Sequence, residues 1–488
     1  MKLLVVLLAV GSACAQIRLL PYPAKSPLVT FRIVFTSGAA ADPPDKPGLA
    51  ALTAHLLADG GTRELTYRQV EDAMFPIAGS VAVQVDKEMT AFSGVTHVDN
   101  LQAYYKLLRA RLVEPGFRED DFARVKEDLI NAIRSGLRNN DEELGKEVLY
   151  ENIFQGTPYG TYSLGTVESL EKLTLDDVKS FYQSQYSQTN LFLGIAGGYP
   201  TSFPEQMRKD FRSLPVGAGF RPRSKLAPLI AGSRAVIVEK ETRSVAISIG
   251  FPILTARNIM DYPALLVANA YFGQHRMSYG LLYQQMREAR GLNYGDYSYI
   301  EYLPNGGQRM EPPPNLVRRQ QIFQIWIRPV EPQNAKFAIR MALYELDKFI
   351  REGIPEDGFQ RARDFLSRYF NFLARTQNAQ AGYAIDSIWY GLGLAPYADV
   401  LQKTLSKLTR DDVNAAIKRN LRTNRLVISI VANHAEDLKL QLASDDPSPI
   451  AYNSPKSEAL TKEDRVIEKW PLGLKVEDIT VVPAEKVP

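Results

Sequence analysis

Leu170-Glu171-Lys172-Leu173-Thr174-Leu175-Asp176-Asp177-Val178 and Leu405-Ser406-Lys407-Leu408-Thr409-Arg410-Asp411-Asp412-Val413 are two copies of one pattern, set about 235 residues apart. In each, a Thr is followed three residues later by an Asp. That spacing lets the Thr hydroxyl satisfy an orphan amide while the carboxylate reaches back, so each copy starts a helix. One copy is ordinary capping chemistry. Two copies inside a longer ordered series are not. Glu119-Asp120-Asp121-Phe122 is echoed by Glu356-Asp357-Gly358-Phe359, and Thr189-Asn190 by Thr423-Asn424, each pair running into an apolar strand. The series predicts two homologous α/β domains, an α+β chain with mixed sheets flanked by helices. The join falls in the Pro- and Gly-bearing residues 200–233. The expected division is a leader over 1–15, domains over 16–215 and 234–440, a linker over 216–233, and a tail over 441–488.

Working outward, residues 28–35 are β-branched and aromatic and read as a strand. Val81, Val83 and Val85 alternate as a second, and Asp86-Lys87 turns it back through residues 90–95. Residues 100–111 and 120–134 read as amphipathic helices, and 190–196 as a buried strand. Length, at 488 residues, exceeds one compact domain, and 45% hydrophobic with 23% charged residues is an ordinary globular balance. A net charge of +3 gives no footprint for nucleic acid.

Lys2, the apolar run over residues 3–10 and Ala13-Cys14-Ala15 form an export leader with cleavage after Ala15. The run is too short to span a bilayer. The rival reading is lipid attachment at Cys14, against which Gly11 stands in place of a bulky aliphatic residue. Cys14 is the only cysteine, so the mature chain has neither a disulfide framework nor thiol catalysis. The expectation is an exported protein, periplasmic or secreted, with no transmembrane segment in the mature chain.

Chemistry is suggested by one helix, Gly48-Leu49-Ala50-Ala51-Leu52-Thr53-Ala54-His55-Leu56-Leu57-Ala58-Asp59-Gly60-Gly61-Thr62, with Leu49, Leu52 and Leu56 on one face. A zinc hydrolase needs three protein ligands, an open position for water and a base for its proton. Histidines at i and i+4 share one helix face, and in H-x-x-E-H the glutamate is the base. This stretch resembles the G-L-A-H-x-x-E-H…G-T helix of the pitrilysin/insulinase zinc peptidases. It agrees at Gly48, Leu49, Ala50, His55, Gly61 and Thr62. Further along, Gly156-Thr157-Pro158-Tyr159-Gly160 is similar to the family's G-H-P-Y-G turn, Leu164-Gly165 follows in order, and Met286-Arg287-Glu288-Ala289-Arg290-Gly291-Leu292-Asn293-Tyr294 resembles L-R-E-x-R-G-L-x-Y. The resemblance covers nearly all of both domains and implies the family's clamshell.

Where the resemblance implies chemistry, this chain departs from it. Ala51 stands at the first histidine and Ala54 at the general base; His55 is the one retained ligand. The third, a carboxylate on the later helix, falls at Asn131 or Ala132, with Glu127 and Asp128 a turn earlier. His97 ends a strand, and His275 and His434 read as surface or loop histidines. His55 itself reads as a core or cleft histidine bonded to backbone. In the second domain the resemblance implies a substrate-touching tyrosine at Tyr294, while its arginine partner is replaced by Leu281. Arg276, Arg287 and Arg290 lie nearby.

The reading is a non-catalytic subunit that binds peptide or unfolded polypeptide and forms a heterodimer with an active zinc-bearing paralogue. It implies no cofactor in this chain, the zinc residing in the partner subunit. The alternatives are a stand-alone peptide-binding scaffold of the envelope and an active metallopeptidase with an unusual ligand set.

Overall fold

The computed structural model describes residues 17–218, 226–304, 310–394 and 397–487; the proposed leader and Cys14 lie outside them. Two mixed sheets organise the chain. The first has the order β1 (Arg18–Pro23), β5 (Leu191–Gly197), β2 (Leu28–Phe35), β4 (Thr90–His97), β3 (Ala82–Val85). Only β1 and β5 run parallel. The second has the order β11 (Ile479–Pro483), β6 (Arg234–Glu239), β10 (Val427–Ala432), β7 (Val245–Ile253), β9 (Gln321–Val330), β8 (Asn293–Tyr299). Its β11 comes from the tail and pairs parallel with β6, so the tail completes a sheet.

The capping expected at both copies is present. Thr174 and Thr409 each accept from the N3 amide, and Asp177 and Asp412 each accept from the cap amide. These helices pack apolar faces onto their own lobe through Val178 and Phe181, and through Val413 and Ile417. The opposite sheet faces are covered by exchange. The Asp141–Ile153 helix packs on β7 and β10 of the second sheet, whereas the Gln377–Trp389 helix packs on β1, β2 and β5 of the first. Each lobe thus buries a sheet face with a helix that belongs, by chain order, to the other. The clamshell halves are joined by core packing.

Gly48, which caps the Leu49–Asp59 helix, has φ +90°, and Gly165 has φ +82°. A Cβ on Gly48 would lie 2.5 Å from the Leu164 carbonyl oxygen, and one on Gly165 would lie 2.5 Å from that of Pro47. The two glycines bring these segments into backbone contact, which is why both motifs need glycine at those places. Gly48→Ala is expected to cost about 2–4 kcal/mol, from left-handed strain plus displacement of rigid backbone. Urea denaturation checks this; a loss below about 1 kcal/mol would refute it.

Candidate functional site

Asp42 fixes the start of the Leu49–Asp59 helix by accepting from the Gly48 amide (2.8 Å) and the Ala50 amide (2.7 Å). Every residue of that helix except His55 and Asp59 is buried. Ala51 and Ala54 have no exposed surface, so the first-ligand and general-base positions are methyl groups packed into the first-lobe core. His55 keeps 28% of its side chain exposed, and its Nδ1 lies 3.4 Å from Asp59 Oδ2. This corrects the expectation of a backbone partner: the i, i+4 carboxylate on the outer helix face is nearer.

The Glu119–Asn131 helix ends where the third ligand is expected, and the chain widens into a π-helix over Ala132–Leu137. Asn131, Ala132, Glu127 and Asp128 are all exposed. Among the described residues no three His, Cys, Asp or Glu side chains are grouped to hold an ion. The donors at the four motif positions are one imidazole, two buried methyls, and an amide or a third methyl. That set does not fit a catalytic zinc, and no step is routed through one here. His55→Ala is therefore expected to change the activity of any reconstituted complex by no more than about twofold. Peptide-hydrolysis assays check it, and a tenfold loss would return His55 to the machinery.

Beside this helix end lies a cavity of about 480 Å3 lined by Gln84, Asp86, Ala132, Glu143, Glu147, Tyr162 and Tyr302. Its charges are matched internally. Lys146, buried, donates to Glu143 and sits 3.5 Å from Glu147, whose Oε1 accepts from the Tyr302 hydroxyl at 2.8 Å. Arg318 donates to both oxygens of Asp86, at 2.9 and 2.5 Å, with its guanidinium 3.5 Å from the Tyr302 ring centroid. Burial pulls Lys87 down to about 8, and Arg318 adds to this against the opposing pull of Asp86 and Glu147. Burial likewise raises Glu88, although Arg319 pairs with it at 2.6 Å.

Asp86-Lys87 is the expected turn, closing between β3 and β4 with the Asp86 amide donating to the Met89 carbonyl at 3.0 Å, but Glu88, Arg318 and Arg319 carry no signal in the sequence. The turn is also buried, and with Arg318 and Arg319 it forms a wedge between lobes. Residues 312–319 of the β8–β9 connection enter the interface, where Arg32 of β2 donates to Asn315 Oδ1 (2.6 Å), Asn378 Oδ1 (3.0 Å) and the Pro314 carbonyl (2.8 Å). Asn315 has φ +68°, and its amide donates to Asp386 at 3.0 Å. Asp386 in turn pairs with Arg257 at 3.3 Å.

The remaining singled-out residues scatter. His97 ends β4, half exposed, and accepts from the Asp99 amide. His434 is exposed at the start of the Ala435–Ala443 helix. His275 corrects its expectation: it is fully buried, with Nδ1 against the Tyr299 hydroxyl and its ring 4.6 Å from that of Tyr297. It follows the Tyr262–Gly273 helix but turns into the aromatic floor under β8. Tyr294 stands at the outer edge of the second sheet, 66% exposed, with the Arg287 guanidinium 4.4 Å from its ring centroid. Leu281 packs on the second core, and Arg276 is exposed. Arg290 is committed to the tail, donating to Glu463 and Asp464 at 2.7 Å each.

Two family profiles match consecutive stretches: "Insulinase (Peptidase family M16)" over residues 19–167 and "Peptidase M16 inactive domain" over residues 172–366. Among curated proteins, an uncharacterized zinc protease of Streptomyces coelicolor is 23% identical over 339 residues, covering 68% of this chain and 70% of the relative. The non-peptidase homolog YmxG of Helicobacter pylori is 21% identical over 436 residues, covering 84% of this chain and 90% of the relative. Among solved structures, a peptidase M16 inactive domain from Pseudomonas fluorescens superimposes with TM-score 0.73 at 20% identity, covering 86% of this chain and 96% of that one.

Proposed function

The chain belongs to the M16 insulinase family of peptidases, and on that premise we propose that it is a non-catalytic subunit which binds peptide and pairs with a zinc-bearing paralogue. One observation carries the reading: the family fold is complete around a motif helix whose first-ligand and base positions are buried alanines. A chain under no demand to fold would not keep the Gly48–Gly165 contact, both capping boxes and the lobe wedge. The naming of one relative as a non-peptidase homolog agrees with it.

In this reading the zinc and its bound water belong to the partner. This chain supplies shape and edges. Among the described residues β3 and β8 end their sheets with an unpaired side, and an extended peptide adds to such an edge through main-chain hydrogen bonds. β3 borders the 480 Å3 cavity through Gln84, which places side-chain space next to one edge. Tyr294 stands on the other. Tyr294→Ala in the assembled pair is expected to raise KM about threefold with kcat nearly unchanged, the sign of lost uniform binding. Steady-state kinetics on a peptide substrate check it; an unchanged KM removes Tyr294 from the peptide path. We also infer export, from the leader-like residues 1–15; no helix among the described residues is long and apolar enough to cross a membrane.

The test is purification of the tagged full chain from its native cells. Recovery with a chain bearing intact H-x-x-E-H, and chelator-sensitive peptide hydrolysis only in the pair, is the expected result. Recovery alone, with no such paralogue encoded beside it, would sink the subunit reading in favour of a stand-alone peptide-binding scaffold. Stoichiometric zinc and chelator-sensitive cleavage in the isolated chain would overturn the non-catalytic reading itself.

A further inference from the structure

We propose that the cleft between the C-terminal half of the Asp141–Ile153 helix and the β6–β11 edge binds a small zwitterion, either a free α-amino acid or a short peptide with both ends unblocked. A cavity of about 510 Å3 opens there, with Glu151, Asn152, Arg234, Val236, Thr480 and Val482 in its lining. That size lies within the range of small-ligand sites. Arg234, Val236, Thr480 and Val482 share one sheet face: side chains alternate along β6 and β11, and Val236 is the register partner of Thr480.

The charges decide the ligand class. Arg234 Nη2 donates to the Asn152 carbonyl at 2.6 Å, which fixes the guanidinium against the helix one residue from Glu151. Both side chains are half-buried, and among the described residues neither has an ion-pair partner within salt-bridge distance. Burial pushes the Glu151 carboxyl up, and the Lys87 charge opposes this. The Lys87 ammonium donates to the Thr161 carbonyl and makes no direct ion pair with Glu151. One cavity therefore holds a positioned cation and a carboxylate that, among the described residues, make no ion pair with each other or with a third side chain.

A ligand with one charge would leave the other protein charge unpaired in a partly dry site, which is costly. A ligand carrying both an ammonium and a carboxylate satisfies both, with the planar guanidinium suited to grip the carboxylate in a fork. Val236 and Val482 provide an apolar floor for a short aliphatic side chain. No residue of the zinc-motif helix lines the site. The site gives the tail a task, since β11 builds one wall.

Isothermal titration calorimetry on the full chain tests it, with L-valine, L-valyl-L-valine, N-acetyl-L-valine and N-acetyl-L-valinamide as probes. Expected is binding of at least one zwitterion, with both acetylated probes weaker by about tenfold or more. The tighter of valine and valylvaline shows whether free amino acid or peptide is the source. Arg234→Gln and Glu151→Gln should each weaken binding about tenfold. Thr480→Tyr, on an exposed strand position, should fill the cleft and abolish binding without touching the charges. No heat with either zwitterion, equal binding of the acetylated probes, or unchanged affinity in Thr480→Tyr would each overturn the proposal.

Discussion

Replacing Arg318 with alanine is expected to lower folding stability by about 3–5 kcal/mol, the cost of stranding a buried carboxylate. Arg318 and Asp86 are 1% and 2% exposed, and the guanidinium meets both carboxylate oxygens. Burial alone would lower the Arg318 pKa, but Asp86 outweighs it and holds it above the ordinary value. Without Arg318, Asp86 keeps its desolvation and loses its direct two-oxygen ion pair; the Lys87 charge acts on it only from a distance, with its ammonium donating to the Thr161 carbonyl. Arg318→Lys should recover only part of the loss, since an ammonium neither forks to a carboxylate nor stacks flat on Tyr302. The double change Asp86→Leu with Arg318→Met should lie within about 1.5 kcal/mol of the parent, because an apolar pair removes both desolvation costs. Urea midpoints for the four chains decide it. A single-variant loss below about 1 kcal/mol would show that the wedge does not hold the lobes.

That wedge also shows where local reading stops. Asp86-Lys87 follows an alternating strand and reads correctly as a turn, but nothing local shows that the turn is buried. Its partners Arg318 and Arg319 are some 230 residues away, beyond any periodicity. The exchanged Asp141–Ile153 helix is hard to read for a related reason: it is covered on more than one side, so Glu143, Lys146 and Glu147 are buried beside Leu144 and Val148 and no polar face stands out. Features set by a few neighbouring residues were legible. The Thr-x-x-Asp boxes, the glycine at 48 and the alternation of β3 and β4 are of this kind. His55 and Asp59 stand at i, i+4 and were open to the same logic; the backbone partner expected for His55 overlooked a contact visible in spacing. His275 was not legible, because a loop histidine gives no hint that the loop folds under β8.

Stability is expected to fall as pH rises from about 5 to 8 and to level or recover above that. Burial raises Asp296 to about 8, Glu311 to about 8 and Glu345 to about 7. Asp42 rises to about 7 by the same cause, although the Gly48 and Ala50 amides pull it the other way. Unfolded, these carboxyls release their protons near pH 4. Between that value and the raised one the folded chain holds more protons than the unfolded chain, so the slope of stability with pH is negative. Each pH unit in that window costs about 1.4 kcal/mol per group, and the groups together amount to several kcal/mol. Lys87 acts oppositely: folded, it releases its proton near 8, while unfolded it keeps it to about 10.4, so it adds stability as pH rises above 8. Asp296 gives the cleanest single test. Asn293 donates to its Oδ1 at 2.5 Å, while its Oδ2 is buried without a hydrogen-bond partner, an arrangement that suits a protonated carboxyl. Asp296→Asn, which keeps the shape and cannot ionise, should make the decline between pH 5 and 8 shallower by about 1.4 kcal/mol per pH unit, the other three carboxyls keeping theirs, and leave the chain more stable than the parent at pH 8. Urea denaturation across that range measures both. A parent whose stability rises from pH 5 to 8 would show that these carboxyls are ionised in the folded chain, and a variant with the parent's slope would show it for Asp296.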